Sequence, residues 1–98
     1  MKTLVRLYHG TSSVYGPAIR RDGIVAVDDG GGNRVVYLGT TREVALGWAR
    51  MRVDNLKWRG LPGGRALVIA VDVSPKNVRE HVGDTVRHLG DIPVSSFA

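Results

Sequence analysis

Val5, Leu7 and His9 alternate with Leu4, Arg6 and Tyr8, a period of two that predicts a strand over residues 3–9 with His9 at its end. Val14, Ala18 and Ile19 then fall at helical spacing, so residues 14–22 read as a short helix, with Pro17 in the first turns and Gly23 as the residue that ends it. Ile24, Val25 and Val27 suggest a short extended piece. Asp28-Asp29-Gly30-Gly31-Gly32-Asn33 breaks the pattern completely and predicts a mobile loop. A second strand follows over residues 35–38, with Val35 and Tyr37 on one face and Val36 and Leu38 on the other. Thr40 and Glu43 have the spacing of a capping box, which starts a helix running to about Val53. Its inner face is predicted as Val44, Ala45, Trp48, Ala49 and Met51 or Arg52. Residues 54–64 read as a connection rich in Gly and Pro, with Trp58 in it between Lys57 and Arg59. Ala66 to Val73 is apolar without alternation, the pattern of a strand covered on both faces at the centre of the core. Ser74-Pro75 stops it. Residues 77–82 fit neither period, whereas 84–89 read as a fourth strand with Asp84 at its mouth.

Strand, helix, strand, helix, strand, strand is the order of an α+β protein with helices packed on a sheet. The length of 98 residues and the absence of any repeat or linker predict a single domain over residues 1–98. The longest unbroken apolar run, Ala66 to Val71, is too short to span a bilayer. The first residues lack the pattern of a signal peptide, so the expectation is a cytoplasmic protein without a membrane partner. No cysteine is present, which removes disulfides, thiol catalysis and cysteine-ligated zinc. No Gly-x-Gly-x-x-Gly follows a strand, and the triglycine loop lacks the spacing of a phosphate-binding loop, with an acidic pair that would repel phosphate. Lys and Arg number fourteen against nine Asp and Glu, a net charge of +5. A field of that sign attracts polyanions such as nucleic acid and anionic small molecules such as a dinucleotide.

Chemistry concentrates at His9-Gly10-Thr11-Ser12, where a strand leads into a histidine, a glycine that permits close approach and a row of hydroxyls. A lone histidine in such a place is as often a core residue as a ligand. The Gly-Thr-Ser that follows directly favours a functional role. Trp58, flanked by two cations, has the character of a residue that stacks on a base or plugs the core from outside.

Tyr8-His9-Gly10-Thr11, then Val36-Tyr37-Leu38-Gly39-Thr40-Thr41, then Ala45-Leu46-Gly47-Trp48-Ala49, then a late acid ahead of Ile92-Pro93, together resemble the ADP-ribosyltransferase superfamily. The chain is most similar to its small bacterial and phage-type members with a His-Tyr-acid triad, including the rifamycin-modifying enzymes. It is also similar to the RNA 2′-phosphotransferases, through the His-Gly-Thr motif and the segment Ile19-Arg20-Arg21-Asp22-Gly23-Ile24. The resemblance covers residues 5 to about 97. It implies a compact, split, mixed β-sheet with two main helices, and NAD as co-substrate without a metal. It implies that His9 bonds the adenosine ribose, that the Gly10 backbone grips the nicotinamide carboxamide, and that Tyr37 stacks on the nicotinamide ring. Thr11, Ser12, Thr40 or Thr41 would hold ribose or phosphate oxygens, and Trp48 would close the pocket. An acid ahead of the last strand would steady the positive charge that develops as the nicotinamide bond breaks. Glu80, Asp84 and Asp91 are the choices, and Asp84 best fits the position.

Three readings follow. The first is an NAD-dependent mono-ADP-ribosyltransferase acting on protein, nucleic acid or a small molecule, with acceptor choice in the loops at 28–33 and 54–64. The second is an NAD-using RNA 2′-phosphotransferase, for which Arg20, Arg21 and Arg87 are candidate phosphate ligands. Tyr37 stands where those enzymes carry a histidine, which favours the first. The third is a non-catalytic basic module that binds nucleotide or nucleic acid.

Overall fold

A computed structural model describes residues 3–98. Its named strands are β1 (Val5–Ser12), β2 (Val27–Asp28), β3 (Arg34–Gly39), β4 (Ala66–Val73), β5 (Val78–Val82) and β6 (Thr85–Leu89). Its two α-helices are α1 (Gly16–Asp22) and α2 (Arg42–Trp58). The strands form one six-stranded sheet in the order β4-β1-β3-β6-β5, with β2 pairing on β3. The protein is therefore α+β, as the element order predicts. Every ladder between these strands is antiparallel, so the expected mixture of strand directions is absent.

Alternation sorts the sheet into two faces. Leu7, Val36, Leu38, Val71 and Val73 pack on one face with Ile24, Ala26 and Ile92, and form the core. The other face receives α2 through Ala45, Ala49, Val53 and Leu56, all buried. The helix crosses β1 at Gly10, where a Cβ would stand 1.9 Å from the Ala45 carbonyl oxygen and 3.0 Å from the Ala49 nitrogen. Gly10 is thus required by helix-on-strand packing, not by a ligand alone.

Several boundaries differ from the pattern-based expectation. β1 does not end at His9 but continues through Gly10, Thr11 and Ser12, because β4 pairs with it along its whole length, from Val5↔Val73 to Ser12↔Ala66. Arg6 and Asp72 face each other in that ladder and form a two-bond ion pair, at 2.9 and 3.0 Å. β4 is covered by α2 on one face and the core on the other, yet it is an outer strand of the sheet. Its free side is partly closed by the C-terminal segment, through a Val71–Phe97 bridge and an Ala98 N–H donating to the Ala70 carbonyl at 2.9 Å.

α2 is capped by Thr41 rather than Thr40. The Thr41 hydroxyl accepts from the Val44 N–H at 3.3 Å, while the Thr40 N–H donates to the Asp84 carbonyl at 2.9 Å. The helix also runs past Val53 to Trp58, since Leu56 extends the buried stripe by one more turn. Residues 77–82, ambiguous in sequence, are the last residue of a 3-10 turn (Pro75–Asn77) and β5, whose alternation is interrupted by a bulge between Glu80 and Val82. The triglycine loop is ordered by its own acids: Asp28 accepts from the Gly30 N–H at 2.7 Å, and Asp29 from Gly31 and Asn33 at 2.7 and 3.2 Å. Gly23 ends α1 at φ 79°, with the Ile92 carbonyl where a side chain would go.

Candidate active site

The two strands expected to carry the site are neighbours that part. β1 and β3 share one register pair, Tyr8↔Gly39. Beyond it, toward Gly10 and Tyr37, they no longer form a ladder, and β3 takes β2 as partner instead, at Val27↔Val35 and Asp28↔Arg34. The opening is a cavity of about 480 Å³ lined by His9 and Gly10 from β1, Val35 and Tyr37 from β3, and Trp48, Met51, Arg52 and Asn55 from α2. That volume lies in the range of small-molecule sites. Ile24, Val25 and Val27 form its opposite wall.

His9 ties the two strands across the seam: its Nδ1 donates to the Tyr37 carbonyl at 3.3 Å. A carbonyl accepts only, so Nδ1 carries the proton and Nε2 is left as the acceptor. Burial holds the imidazole below the ordinary histidine value. The Tyr37 carbonyl opposes that shift, and the positive Arg52 reinforces it. His9 is therefore neutral at pH 7, a fixed tautomer with a lone pair available to a hydroxyl donor. Tyr37 lines the cavity and is 38% exposed. The cavity lining holds one cation, Arg52, and no carboxylate.

Of the sequence-predicted residues, His9, Gly10, Tyr37 and Trp48 meet around this one cavity. Thr11 is buried and lines a neighbouring hollow of about 270 Å³, which shares Arg52 and Val25 with the first. Ser12 belongs to neither. It is fully buried, donates to the Gly63 carbonyl and accepts from the Val14 N–H at 3.2 Å, so its hydroxyl serves the fold. Thr40 is exposed at the start of α2 and does not line the cavity.

The three acids separate cleanly. Asp91 accepts from the Ala26 N–H at 2.7 Å and anchors the segment that walls the cavity. Glu80 pairs with Val86, which pairs with the core residue Leu38, so Glu80 is on the face opposite Tyr37. Asp84 sits exposed in the β5–β6 turn, beside Thr85, whose register partner is Gly39 of the cavity wall. It is at the rim and does not line the cavity.

Of three further neighbours of the site, sequence reasoning missed His81, named Arg87 only as a phosphate ligand for the second reading, and gave Arg52 only as an alternative to Met51 on the inner face of the helix. The β5 bulge brings the His81 ring to 5.1 Å from that of Tyr37, tilted by 54°. Bulges re-aim side chains in this way, and the same irregularity hides the strand from a period-two search. Arg87 pairs with Tyr37 in the β3–β6 ladder. It donates to the Glu80 carbonyl at 3.2 Å and lies 3.7 Å from Asp29, and its Nε is buried without a partner among the described residues. Arg52 lines both hollows and stacks over the Tyr15 ring at 5.4 Å. Its place follows from helical spacing after Trp48, one turn on.

No helix among the described residues is long and apolar enough to cross a membrane. The chain matches no protein-family model and no curated protein.

Proposed function

We propose that the chain is an NAD-dependent mono-ADP-ribosyltransferase with its site in the seam between β1 and β3. One observation carries this reading: His9, singled out by the Gly-Thr-Ser that follows it, and Tyr37, named by the resemblance, line a single cavity together with Gly10 and Trp48. A neutral His9 with a free Nε2 suits a ribose hydroxyl. Tyr37 offers a ring for the nicotinamide, and Arg52 supplies positive charge for the diphosphate.

In the proposed reaction the C1′–N bond to nicotinamide breaks and nicotinamide leaves with the bonding electrons. C1′ then bonds to an acceptor nucleophile, which loses its proton to solvent. The developing charge on the ribose calls for a negative group. The lining has no carboxylate, so that role falls to Asp84 at the rim. The setting that goes with this reading is the cytoplasm.

The test is release of nicotinamide from NAD, followed by chromatography with protein, nucleic-acid and small-molecule acceptors in turn. Tyr37→Ala is expected to slow release by about tenfold or more, the scale of one lost stacking contact, while Tyr37→Phe retains it. Absence of release from the unmodified chain with every acceptor, or equal release by Tyr37→Ala, overturns the proposal. The unpartnered Nε of Arg87 beside Tyr37 favours RNA 2′-phosphotransfer as the second reading. Release that requires an RNA with an internal 2′-phosphate would select it.

A further inference from the structure

The outer stripe of α2 has no role in the fold. Trp48, Met51, Asn55 and Trp58 are spaced three, four and three residues apart, so they follow one another along one side of the helix. Trp48 is 49% exposed, Met51 62% and Trp58 88%. An 88% exposed tryptophan contributes nothing to the core, and its indole stands in water. Ten residues of helical rise put Trp58 about 15 Å from Trp48 along the axis. The stripe therefore starts at the cavity mouth and runs to the far end of the helix.

Charge accompanies it. Arg52 and Arg59 lie on the flank of the stripe at helical spacing from Trp48, and both are exposed. Arg50 and Lys57 add to the field from the other side. Of the acids of this helix, Glu43 lies at its first turn, while Asp54 stands one turn before Trp58, beside the stripe, where Arg50, Arg52, Lys57 and Arg59 outnumber it. The two indoles therefore stand among an excess of cations.

From this we propose that the outer stripe of α2 is a binding surface for single-stranded nucleic acid, with bases stacked on the indole of Trp58 and phosphates against Arg52 and Arg59. The complementarity of charge selects this partner. A polyphosphate strand requires cations beside its stacking rings, and Arg52 and Arg59 stand there. A duplex keeps its bases stacked on one another and offers the indoles nothing but its ends. The surface overlaps the NAD reading at Trp48 and Arg52 but invokes neither His9 nor Tyr37, so the two readings fail separately.

The test is fluorescence anisotropy of labelled oligonucleotides of about twelve nucleotides, one RNA and one DNA, each single-stranded and as a duplex, titrated with the full chain without NAD. The unmodified chain is expected to bind at least one single strand more tightly than its duplex, with affinity falling steeply between about 50 and 200 mM salt. Trp58→Ala is expected to weaken binding about tenfold, and Arg59→Glu to weaken it and flatten the salt dependence. His9→Ala is expected to bind oligonucleotide as the unmodified chain does, even where it has lost all NAD turnover. Absence of single-strand binding at the lower salt, a preference for duplex, or equal affinity in Trp58→Ala overturns the proposal.

Discussion

His9 shows how a position that is ambiguous in sequence becomes specific in space. Its neighbours Val5 and Leu7 give it the pattern of a core residue, and burial does hold its imidazole neutral. What separates it from a core histidine is the bond to the Tyr37 carbonyl across strands that have parted, which leaves Nε2 as the acceptor of a residue that lines the cavity. The lowered value has a consequence for stability. Above about pH 6.5 the imidazole is neutral in both the folded and the unfolded chain and contributes no pH dependence. Below it the unfolded histidine takes a proton that folded His9 refuses, so folding is disfavoured progressively until the pH passes the folded value. Urea unfolding from pH 7.5 down to pH 5 is therefore expected to show the unmodified chain losing stability relative to His9→Asn; a constant difference between the two contradicts the assignment. Gly10 is the other residue whose meaning changed. Its glycine is legible in sequence as a ligand contact, but the reason for it is the Ala45 carbonyl 1.9 Å from a hypothetical Cβ. Gly10→Ala is expected to cost about 3 kcal/mol or more, because the obstruction is backbone and α2 must move. A circular-dichroism melt checks this.

At the scale of elements, sequence pattern located nearly every strand and helix but misjudged where they stop. α2 is the clearest case. Thr40-Thr41 offers two adjacent caps, and the capping-box spacing to Glu43 selects the wrong one. The choice is made by a contact distant in sequence, the Thr40 N–H bonded to the Asp84 carbonyl, which keeps Thr40 outside the helix and leaves the hydroxyl of Thr41 to cap it. Thr41→Ala is expected to destabilise the protein by about 1 kcal/mol and Thr40→Ala by a few tenths, measured by urea unfolding; equal effects contradict this cap. The same helix places Trp48 and Met51 at the cavity and not in the core, where the apolar stripe puts them. Local periodicity counts apolar residues and cannot tell a buried face from the flank beside it. β5 was illegible for a different reason: its bulge shifts the alternation within a five-residue strand. With it went His81, the residue now against the Tyr37 ring.

The whole molecule is organised by a sheet that is continuous at one end and divided at the other. β1 holds β4 along its full length and β3 at one pair, β3 turns to β2 and β6, and the space between is the cavity. No single stretch of sequence encodes that opening. His-Gly-Thr and Tyr-Leu-Gly each mark one of its walls and the helical Ala-Leu-Gly-Trp a third, which is why His9, Gly10, Tyr37 and Trp48 are legible, while the rim and the floor depend on pairings made far along the chain. The same long-range pairings sort Asp84, Asp91 and Glu80 into rim, anchor and opposite face. Nearly the whole account rests on a dinucleotide entering that seam, and this is testable before any acceptor is identified. Titration of NAD into isotopically labelled protein, followed by amide and indole proton–nitrogen correlation spectra, reports the site directly. The account predicts saturable shifts at Gly10, Tyr37 and the Trp48 indole, with little change around the separate hollow formed by Asp72, Asn77 and Phe97. Absence of shifts at millimolar NAD, or shifts confined to that second hollow, would contradict it.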